Sequence, residues 1–257
     1  MTPAAEQTLS QEDRHWWFAS RTRVLMGLVG GALLHSGSNT ETLRVLDVGC
    51  GAGNMTHHLQ RYGKVTGIDS FVKPLAVAAE RGFQVRLAWA EAMPFAAACF
   101  SLVAALDVVE HCDDDAQVIR ECARVLRPGG LLAVTVPAFP WLWSDNDTIN
   151  RHRRRYTPVQ LSQLLRSAGL SVRRLTCNNF LVLPIAVALI LLRRFRGQPL
   201  ALAAPATDDD AYQVEMLPVH PYANAVLSFV GATEAALLQR VSLPIGTGLI
   251  AVAEKPR

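Results

Sequence analysis

The sequence predicts a doubly wound α/β fold, in which a largely parallel sheet carries helices on both faces. Short apolar runs alternate with helix-forming segments from residue 43 onward, and the first run ends in a cluster of glycines. Such alternation is typical of parallel strands joined by crossover helices. The chain has 257 residues, of which 50% are hydrophobic and 18% are charged. This composition excludes a disordered chain and suits one large folded domain.

Seven apolar runs are predicted to be strands. The first, Leu43–Val48, directly precedes the glycines, and the last is Gly248–Glu254. Runs of this length that are bounded by turn residues are typical of buried strands. The other five are Val65–Ile68, Gln84–Ala88, Ser101–Leu106, Leu131–Val136 and Leu170–Leu175.

Helices are predicted between these strands from their capping and stop residues. Thr157 is a suitable N-cap, and Pro158 suits the first position of a helix that Gly169 ends. Glycine and proline also stop two earlier helices, at Gly82 and at Pro128–Gly130. The predicted helices in this part of the chain are Asn54–Tyr62, Lys73–Arg81, Asp114–Leu126 and Thr157–Ala168.

Cysteine usage and charge indicate a cytoplasmic protein. The five cysteines form no CxxC pair and are odd in number, which fits neither a zinc knuckle nor a disulfide framework. The N-terminal segment lacks the basic and apolar regions of a signal peptide. As a helix, the apolar run Phe180–Leu192 would span roughly 20 Å, less than the roughly 30 Å of a bilayer core. The net charge of +3 gives no indication of a DNA partner.

The strongest local motif is LDVGCGAG, residues Leu46–Gly53. Its glycines permit a sharp turn and a close approach of a ligand to the main chain, and the following helix offers unpaired N–H groups. Asp69, at the tip of the second strand, can accept hydrogen bonds from ribose hydroxyls. The motif therefore predicts a ligand that carries a nucleoside. A dinucleotide would require glycine instead of Asn54, and Asp47 would repel a pyrophosphate and favour an ammonium group.

Four strings extend this motif into a family pattern. VLDVGCGAGNMT, GIDS, EAMPF and RVLRPGGLLAVTVP, between Val45 and Pro137, resemble the successive motifs of class I S-adenosylmethionine-dependent methyltransferases. DVVEH, at Asp107–His111, and the later HRRRYT are similar to the branch that contains the ubiquinone-biosynthesis methyltransferases of type 11/12. The resemblance implies a Rossmann-like sheet of seven strands with the last strand antiparallel, methyltransferase activity, and S-adenosylmethionine as the cofactor.

The resemblance also implies the cofactor contacts. Asp69 would hold the ribose, while Asp107 and Val108 would line the methionyl end. At the position of Trp89 the family often has an aspartate that binds the adenine amino group, so here the indole would cover the ring and Ala90 and Glu91 would make the polar contacts. The methionine part would be held by Asp47, Gly49, Gly51 and Gly53.

A second group of residues suits the activation of a substrate hydroxyl. With Asp107 at the start of a helical turn, spacings of three and four put Glu110 and His111 on the same face. Related methyltransferases with a Glu-x-x-Glu-His motif use a metal with a later histidine, and His152 lies at about that position. The predicted ligands of a divalent metal such as Mg²⁺ are therefore Asp107, Glu110, His111 and His152. In the alternatives, His111 is a general base assisted by Glu110 and His152, or the motif only packs the start of a helix.

Three further segments have two interpretations each. The basic run Arg151–Arg155, which follows Trp141, Trp143, Asp145 and Asp147, is either a solvated loop or a site for an anionic head group. The stretches Phe180–Leu192 and Ala223–Leu238, with Arg193, Arg194 and Arg196 between them, suit either lipid or an ordinary core or homodimer helix. The aromatic segment His15–Phe18 either closes over the cofactor or packs the first helix on the sheet.

These features together predict the organisation and the function of the chain. Residues 1–257 form a single methyltransferase domain, with an N-terminal helical lid (1–40), a cofactor-binding core (41–175), an apolar helical insertion (176–247) and a last strand (248–257). The expected activity is O-methylation of a hydrophobic acceptor that is phenolic, isoprenoid or lipid-linked, by a cytoplasmic enzyme, with contact to the inner face of the membrane as an option. The alternatives are an RNA methyltransferase that uses the basic run, and a non-catalytic S-adenosylmethionine-binding protein.

Overall fold

The computed structural model describes residues 13–35, 43–196 and 219–257. The predicted lid and insertion are thus described in part, since residues 1–12, 36–42 and 197–218 lie outside the described residues. Seven strands form one sheet: β1 (Leu43–Val48), β2 (Gly63–Asp69), β3 (Gln84–Leu87), β4 (Phe100–Leu106), β5 (Leu126–Pro137), β6 (Ser171–Asn178) and β7 (Gly248–Glu254).

The strand order is β3-β2-β1-β4-β5-β7-β6. The pairs among β1 to β5 are parallel, whereas β7 is antiparallel to both β5 and β6. The predicted doubly wound sheet of seven strands with an antiparallel last strand is therefore confirmed. Because the order reverses between β1 and β4, their carboxyl ends form the crevice where doubly wound proteins bind ligands.

Eight α-helices accompany the sheet in the described residues. They are α1 (Trp16–His35), α2 (Thr56–Leu59), α3 (Val72–Glu80), α4 (Asp115–Val125), α5 (Asp145–Ile149), α6 (Pro158–Ser167), α7 (Leu183–Arg196) and α8 (Pro221–Leu238). Short 3₁₀ turns lie at Gln60–Tyr62, Val109–His111 and Pro140–Leu142. The predicted caps of α6 are present, since the Thr157 hydroxyl accepts from the Gln160 N–H and Pro158 begins the helix.

Most predicted boundaries agree with the structure to within three residues, and two elements differ more. The helix predicted from Asn54 to Tyr62 is a single α-turn followed by a 3₁₀ turn. Strand β5 begins at Leu126, so that Pro128–Gly130, predicted as a stop after α4, lies inside it. The reason is a long-range pairing, in which the Gly129 N–H donates to the Lys255 carbonyl and the Lys255 N–H donates to the Gly130 carbonyl.

The sheet separates two apolar cores. Alternation along β1 directs Leu46 into a core shared with α4 and α6, and Val45 into a core shared with α1 and α8. Helices α1 and α8 approach closely at Gly231, where an added Cβ would lie 2.5 Å from the Ser20 hydroxyl oxygen. Helix α8 therefore belongs to the same layer as α1.

The apolar insertion also leaves hydrophobic side chains on the surface. Tyr222 and Phe229 on α8 are 80% and 74% exposed, and Ile185 on α7 is 57% exposed. Among the described helices, none has both the length and the apolar character required to span a bilayer. The five cysteines are all free thiols.

Candidate active site

The glycine motif forms a tight loop between β1 and α2. Gly49, Gly51 and Gly53 have φ angles of +68°, +52° and +88°, in the left-handed region that favours glycine. A Cβ at Gly49 would lie only 2.3 Å from Cγ2 of Val108. The loop thus packs directly on the residue that follows Asp107, and a side chain at Gly49 has no room.

Asp69 lies at the tip of β2 and holds the loop. Its carboxylate accepts from the Gly51 N–H at 2.9 Å and from the Phe71 N–H at 2.9 Å. A carboxylate has about four acceptor positions, so two remain on this half-buried group for ribose hydroxyls. The Asp69 carbonyl accepts from the Ala88 N–H, which brings the 67%-exposed indole of Trp89 to the same edge of the sheet.

Asp47 lies beneath the loop and is 1% exposed. It accepts a hydrogen bond from the Thr56 hydroxyl at 2.7 Å. Burial raises the pKa of Asp47 to about 7, against the opposing effect of the Thr56 hydrogen bond, and the charge of Asp69 adds to the rise. In this conformation Asp47 joins the end of β1 to α2.

Arg81 is a supporting residue that the sequence did not reveal. Its guanidinium donates to the Ala52 carbonyl at 2.6 Å and to Oδ1 of Asn54 at 2.8 Å. This pairing explains the asparagine at a position where dinucleotide-binding loops have glycine, because the amide side chain is a partner of Arg81. A single arginine after a helix carries no sequence signal that would have identified this contact.

Asp107 lies just after β4 with a φ of +55°. Its carboxylate forms an ion pair with Arg21 of α1 and accepts from the Thr135 hydroxyl at 2.7 Å. The Arg21 guanidinium lies 4.9 Å from the centroid of a Trp17 ring. The aromatic start of α1 therefore reaches the edge of the sheet at which the methionyl end was predicted.

Glu110, His111 and His152 come together at this edge. One ligand atom from each lies within 4.8 Å of the others, and the two imidazole rings are 4.8 Å apart, edge to face. Three of the four predicted metal ligands are thus neighbours among the described residues. The fourth, Asp107, belongs instead to the group of Arg21 and Thr135.

Glu110 is the unusual member of this cluster. It is fully buried, and no other residue in the described ranges donates a hydrogen bond to either carboxylate oxygen. Burial raises the pKa of Glu110 to about 8, although its backbone hydrogen bond and the charges of Arg21 and Arg155 oppose the rise. Burial and the neighbouring His152 lower the pKa of His111 to about 4, so His111 is neutral at physiological pH.

Asp147 orients the His152 ring through a hydrogen bond to Nδ1. Its buried carboxylate accepts from Nδ1 of His152 at 2.9 Å and from Nε and Nη2 of Arg155 at 2.7 and 2.9 Å. Burial alone would raise the pKa of Asp147, but the hydrogen bonds from His152 and Arg155 outweigh it and hold the pKa at about 2. The sequence singled out Asp147 only as part of an aromatic loop, because its partners follow it by five and eight positions in a segment without regular structure.

The basic run is largely used within the protein. Arg153 donates from Nε to the His111 carbonyl at 2.9 Å, and Arg154 donates to the carbonyls of Cys112 and Asp113 at 3.0 Å. Arg154 also pairs with Asp115 at 3.0 Å, while Arg155 pairs with Asp147. These arginines attach the loop after β5 to the turn after β4, and so shape the Glu110 cluster.

The order of this sheet, the glycine loop after its first strand and the acidic residue at the tip of its second strand are the features of a doubly wound domain that binds a nucleoside. Comparison with known proteins agrees. Residues 46–134 match the family model described as a methyltransferase domain. The resemblance to class I S-adenosylmethionine-dependent methyltransferases is therefore confirmed for the core of the chain.

Curated relatives point to one branch. The chain is 34% identical over 152 residues to the ubiquinone biosynthesis O-methyltransferase of Methylocella silvestris, covering 51% of this chain and 59% of that protein. It is 32% identical over 168 residues to the enzyme of the same description from Marinobacter nauticus, covering 52% and 66%. With a third such relative, from Sodalis glossinidius, the chain spans between 38% and 66% of the length of these proteins.

A solved structure shows the fold over a larger part of the chain. Phosphoethanolamine N-methyltransferase 2 of Haemonchus contortus, in complex with S-adenosyl-L-methionine, superposes with a TM-score of 0.55 at 18% identity. The alignment covers 88% of this chain and 52% of that one. At this identity the likeness concerns the fold alone.

Proposed function

We propose that the protein transfers a methyl group from S-adenosylmethionine to a hydroxyl oxygen of a hydrophobic acceptor that is phenolic, isoprenoid or lipid-linked. The observation that carries this proposal is the position of the Glu110–His111–His152 cluster directly after the Asp107–Val108 pair, which contacts the glycine loop. An amine acceptor needs no such cluster when it is neutral, whereas a hydroxyl requires removal of its proton. The names of the relatives from Methylocella silvestris and Marinobacter nauticus agree with an O-methyltransferase.

The residues at the edge of the sheet fit the cofactor. Asp69 keeps free acceptor positions for the ribose, and Trp89 offers an exposed ring for the adenine. The methionine part of the cofactor is a zwitterion, for which Asp107 would accept from the ammonium and Arg21 would donate to the carboxylate. When bound, S-adenosylmethionine supplies an electrophilic methyl group on a positively charged sulfur. The protein supplies alignment and exclusion of water, the latter with help from α1.

The proposal includes a divalent cation held by Glu110, His111 and His152. No other described residue donates a hydrogen bond to the buried carboxyl of Glu110, and a cation would stabilise its ionised form. His152 uses Nδ1 for Asp147, which leaves Nε2 for a metal in the usual carboxylate–histidine–metal arrangement. Because Asp107 is engaged elsewhere, the donors are two imidazoles and one carboxylate, a set that suits a first-row transition ion better than the Mg²⁺ expected from the sequence. Such an ion would lower the pKa of the acceptor hydroxyl.

The surface of the insertion supports a hydrophobic acceptor. Exposed apolar side chains on α7 and α8, among them Ile185, Tyr222 and Phe229, offer contact to an isoprenoid tail or to a lipid surface. The basic run gives little support for an RNA substrate, because Arg153, Arg154 and Arg155 donate to carbonyls and carboxylates of the protein itself.

The test is a transfer assay with labelled S-adenosylmethionine and a lipid extract, followed by identification of the species that gains one methyl group. Glu110→Gln with His111→Ala is expected to retain cofactor binding by calorimetry and to lose at least about a hundredfold in transfer rate. Arg166→Ala, an exposed position on α6, is the control. Unchanged turnover in the double variant would remove the cluster from the mechanism. A chelator that leaves the rate unchanged would leave the neutral His111 as the proton acceptor without a cation.

A further inference from the structure

A cavity of about 840 Å³ is lined by residues of β1, β2 and β3, of the loop that follows β3, and by Phe100 at the start of β4. Its lining includes Arg44 of β1, Thr66 of β2, Gln84 and Arg86 of β3, and the rings of Phe95 and Phe100. The cavity exists because residues 88–99, between β3 and β4, form no helix and contain only an isolated bridge between Trp89 and Ala92. Among the described residues, no helix between β3 and β4 covers this face of the sheet, unlike the usual arrangement in this class.

Basic side chains line up on this face. Arg44 and Lys64 are register partners on β1 and β2, and both alternate with residues of the other core, so they project from the same face of the sheet. Arg86 lies on that face too, because it pairs with Ile68, two residues beyond Thr66. Like charges placed directly opposite each other in a sheet are destabilising. Within the described ranges, none of these three side chains forms an ion pair or a hydrogen bond.

Two phenylalanines fix the direction of the arginines. The Arg44 guanidinium lies 5.3 Å from the centroid of Phe100, and that of Arg86 lies 5.6 Å from the centroid of Phe95. The two rings pack edge to face with their centroids 5.0 Å apart. A guanidinium stacked on a ring keeps its N–H groups free along its edge, where they can bind a carboxylate or phosphate. The Thr66 hydroxyl and the Gln84 amide add neutral donors to the same cavity.

We propose that this cavity is a second ligand site, for a small organic anion that joins a phosphate or carboxylate group to an apolar ring. The anion would compensate the charges of Arg44 and Arg86, which line the cavity, and the ring would lie against the apolar lining. A volume of about 840 Å³ is within the range of small-molecule sites. The cavity lining includes no residue of the glycine loop, although Phe83 in the lining packs against Gly53. Strands β1 and β2 lead from the cavity to Asp47 and Asp69.

Calorimetry with phenyl phosphate tests the proposal. The wild-type protein should bind phenyl phosphate at millimolar concentration or below, and inorganic phosphate about tenfold more weakly, because it lacks the ring. Benzoate in place of phenyl phosphate decides whether the site accepts a carboxylate as well. Binding should persist with S-adenosylmethionine in excess. Competition between the two ligands would put phenyl phosphate at the glycine loop and overturn the proposal.

Variants locate the site. Arg44→Gln with Arg86→Gln should weaken phenyl phosphate binding at least about tenfold, whereas Arg166→Gln, an exposed arginine on α6, should leave it unchanged. Because Arg44 covers Phe100, the double variant is also checked by thermal unfolding. If the double variant does not fold, Arg86→Gln alone tests phenyl phosphate binding, because Arg86 is exposed. Absence of binding to the wild type, or wild-type affinity in a folded Arg86→Gln variant, would overturn the assignment.

Discussion

Arg21 and Asp107 form an ion pair that connects α1 to the turn after β4. The Arg21 side chain is only 9% exposed and lies against Trp17. Its buried positive charge is therefore stable only if a partner within the protein compensates it. A carboxylate and a guanidinium side by side match the ammonium and carboxylate of an amino-acid ligand. On the proposed function, the first helix would therefore contribute to the cofactor site as well as to the packing of the sheet.

This pairing predicts the effect of removing Arg21. Arg21→Ala should weaken the binding of S-adenosylmethionine at least about tenfold, because a charge-assisted hydrogen bond to the ligand carboxylate is lost. Arg23→Ala removes an exposed arginine from the same helix and should leave the affinity unchanged. Calorimetry with the cofactor and with S-adenosylhomocysteine measures both variants. Equal affinity in Arg21→Ala and Arg23→Ala would show that α1 does not contact the ligand.

Gly49 should be the most sensitive position of the glycine loop. Gly49→Ala combines a left-handed backbone, which costs about 1–2 kcal/mol for alanine, with overlap against Val108, which costs about 1–3 kcal/mol in a packed core. Gly82→Ala is a matched control, because Gly82 has a φ of +85° and no atom within 4 Å of an added Cβ. Denaturant unfolding should therefore show a larger loss of stability for Gly49→Ala. Gly49→Ala with Val108→Ala should recover the steric part, and equal losses at Gly49 and Gly82 would contradict this account.

Some features of the fold and the site could be predicted from the sequence, and others could not. The seven strands, the glycine loop and the acidic tip of β2 were predictable because each depends on a few consecutive residues. The partners of Asp107 and Asp147 were not, because they arrive from α1, from β5 and from an irregular loop. The start of β5 was misplaced for the same reason, since Gly129 and Gly130 extend the strand only through their pairing with Lys255.

The buried Asp47 predicts a pH dependence of stability in the cofactor-free protein. An aspartate ionises near 3.8 in the unfolded chain, but burial raises the pKa of Asp47 to about 7 in the folded protein. The unfolded state therefore loses this proton first, and stability decreases as the pH rises from about 4 to about 7. The asparagine of the Asp47→Asn variant cannot ionise, so the variant does not lose stability at this position as the pH rises. Its melting temperature relative to wild type should therefore be higher at about pH 7.5 than at about pH 5.

The control for Asp47 is Asp113→Asn, because the Asp113 side chain is 79% exposed. Its melting temperature relative to wild type should not change with pH over the same interval. Taking differences between variant and wild type removes the contributions of other groups, such as His111, whose lowered pKa has the opposite effect. A difference for Asp47→Asn that stays constant between the two pH values would contradict a raised pKa.

Asp147 predicts the opposite dependence in acid. The hydrogen bonds from His152 and Arg155 hold its pKa at about 2, below the value of 3.8 for an ordinary aspartate. The stability that this carboxylate contributes is therefore fully present above about pH 4 and is lost as the pH falls toward 2. A shift of this size corresponds to about 2 kcal/mol at neutral pH. Asp147→Asn should lose about that amount in denaturant unfolding at pH 7, and the difference from wild type should shrink in acid.

The same variant separates a structural role of Asp147 from a role in binding a cation. If Asp147 orients His152 for a metal, Asp147→Asn should weaken the binding of Mn²⁺ or Zn²⁺ about 10- to 100-fold in the folded protein, as loss of such a partner does in known metal sites. His152→Ala should abolish that binding, because it removes a ligand. Arg155→Lys keeps a cation beside Asp147 and leaves His152 in place, so it should retain the metal affinity. Titration of chelator-treated protein measures all three variants, and wild-type affinity in His152→Ala would exclude this cluster as the metal site.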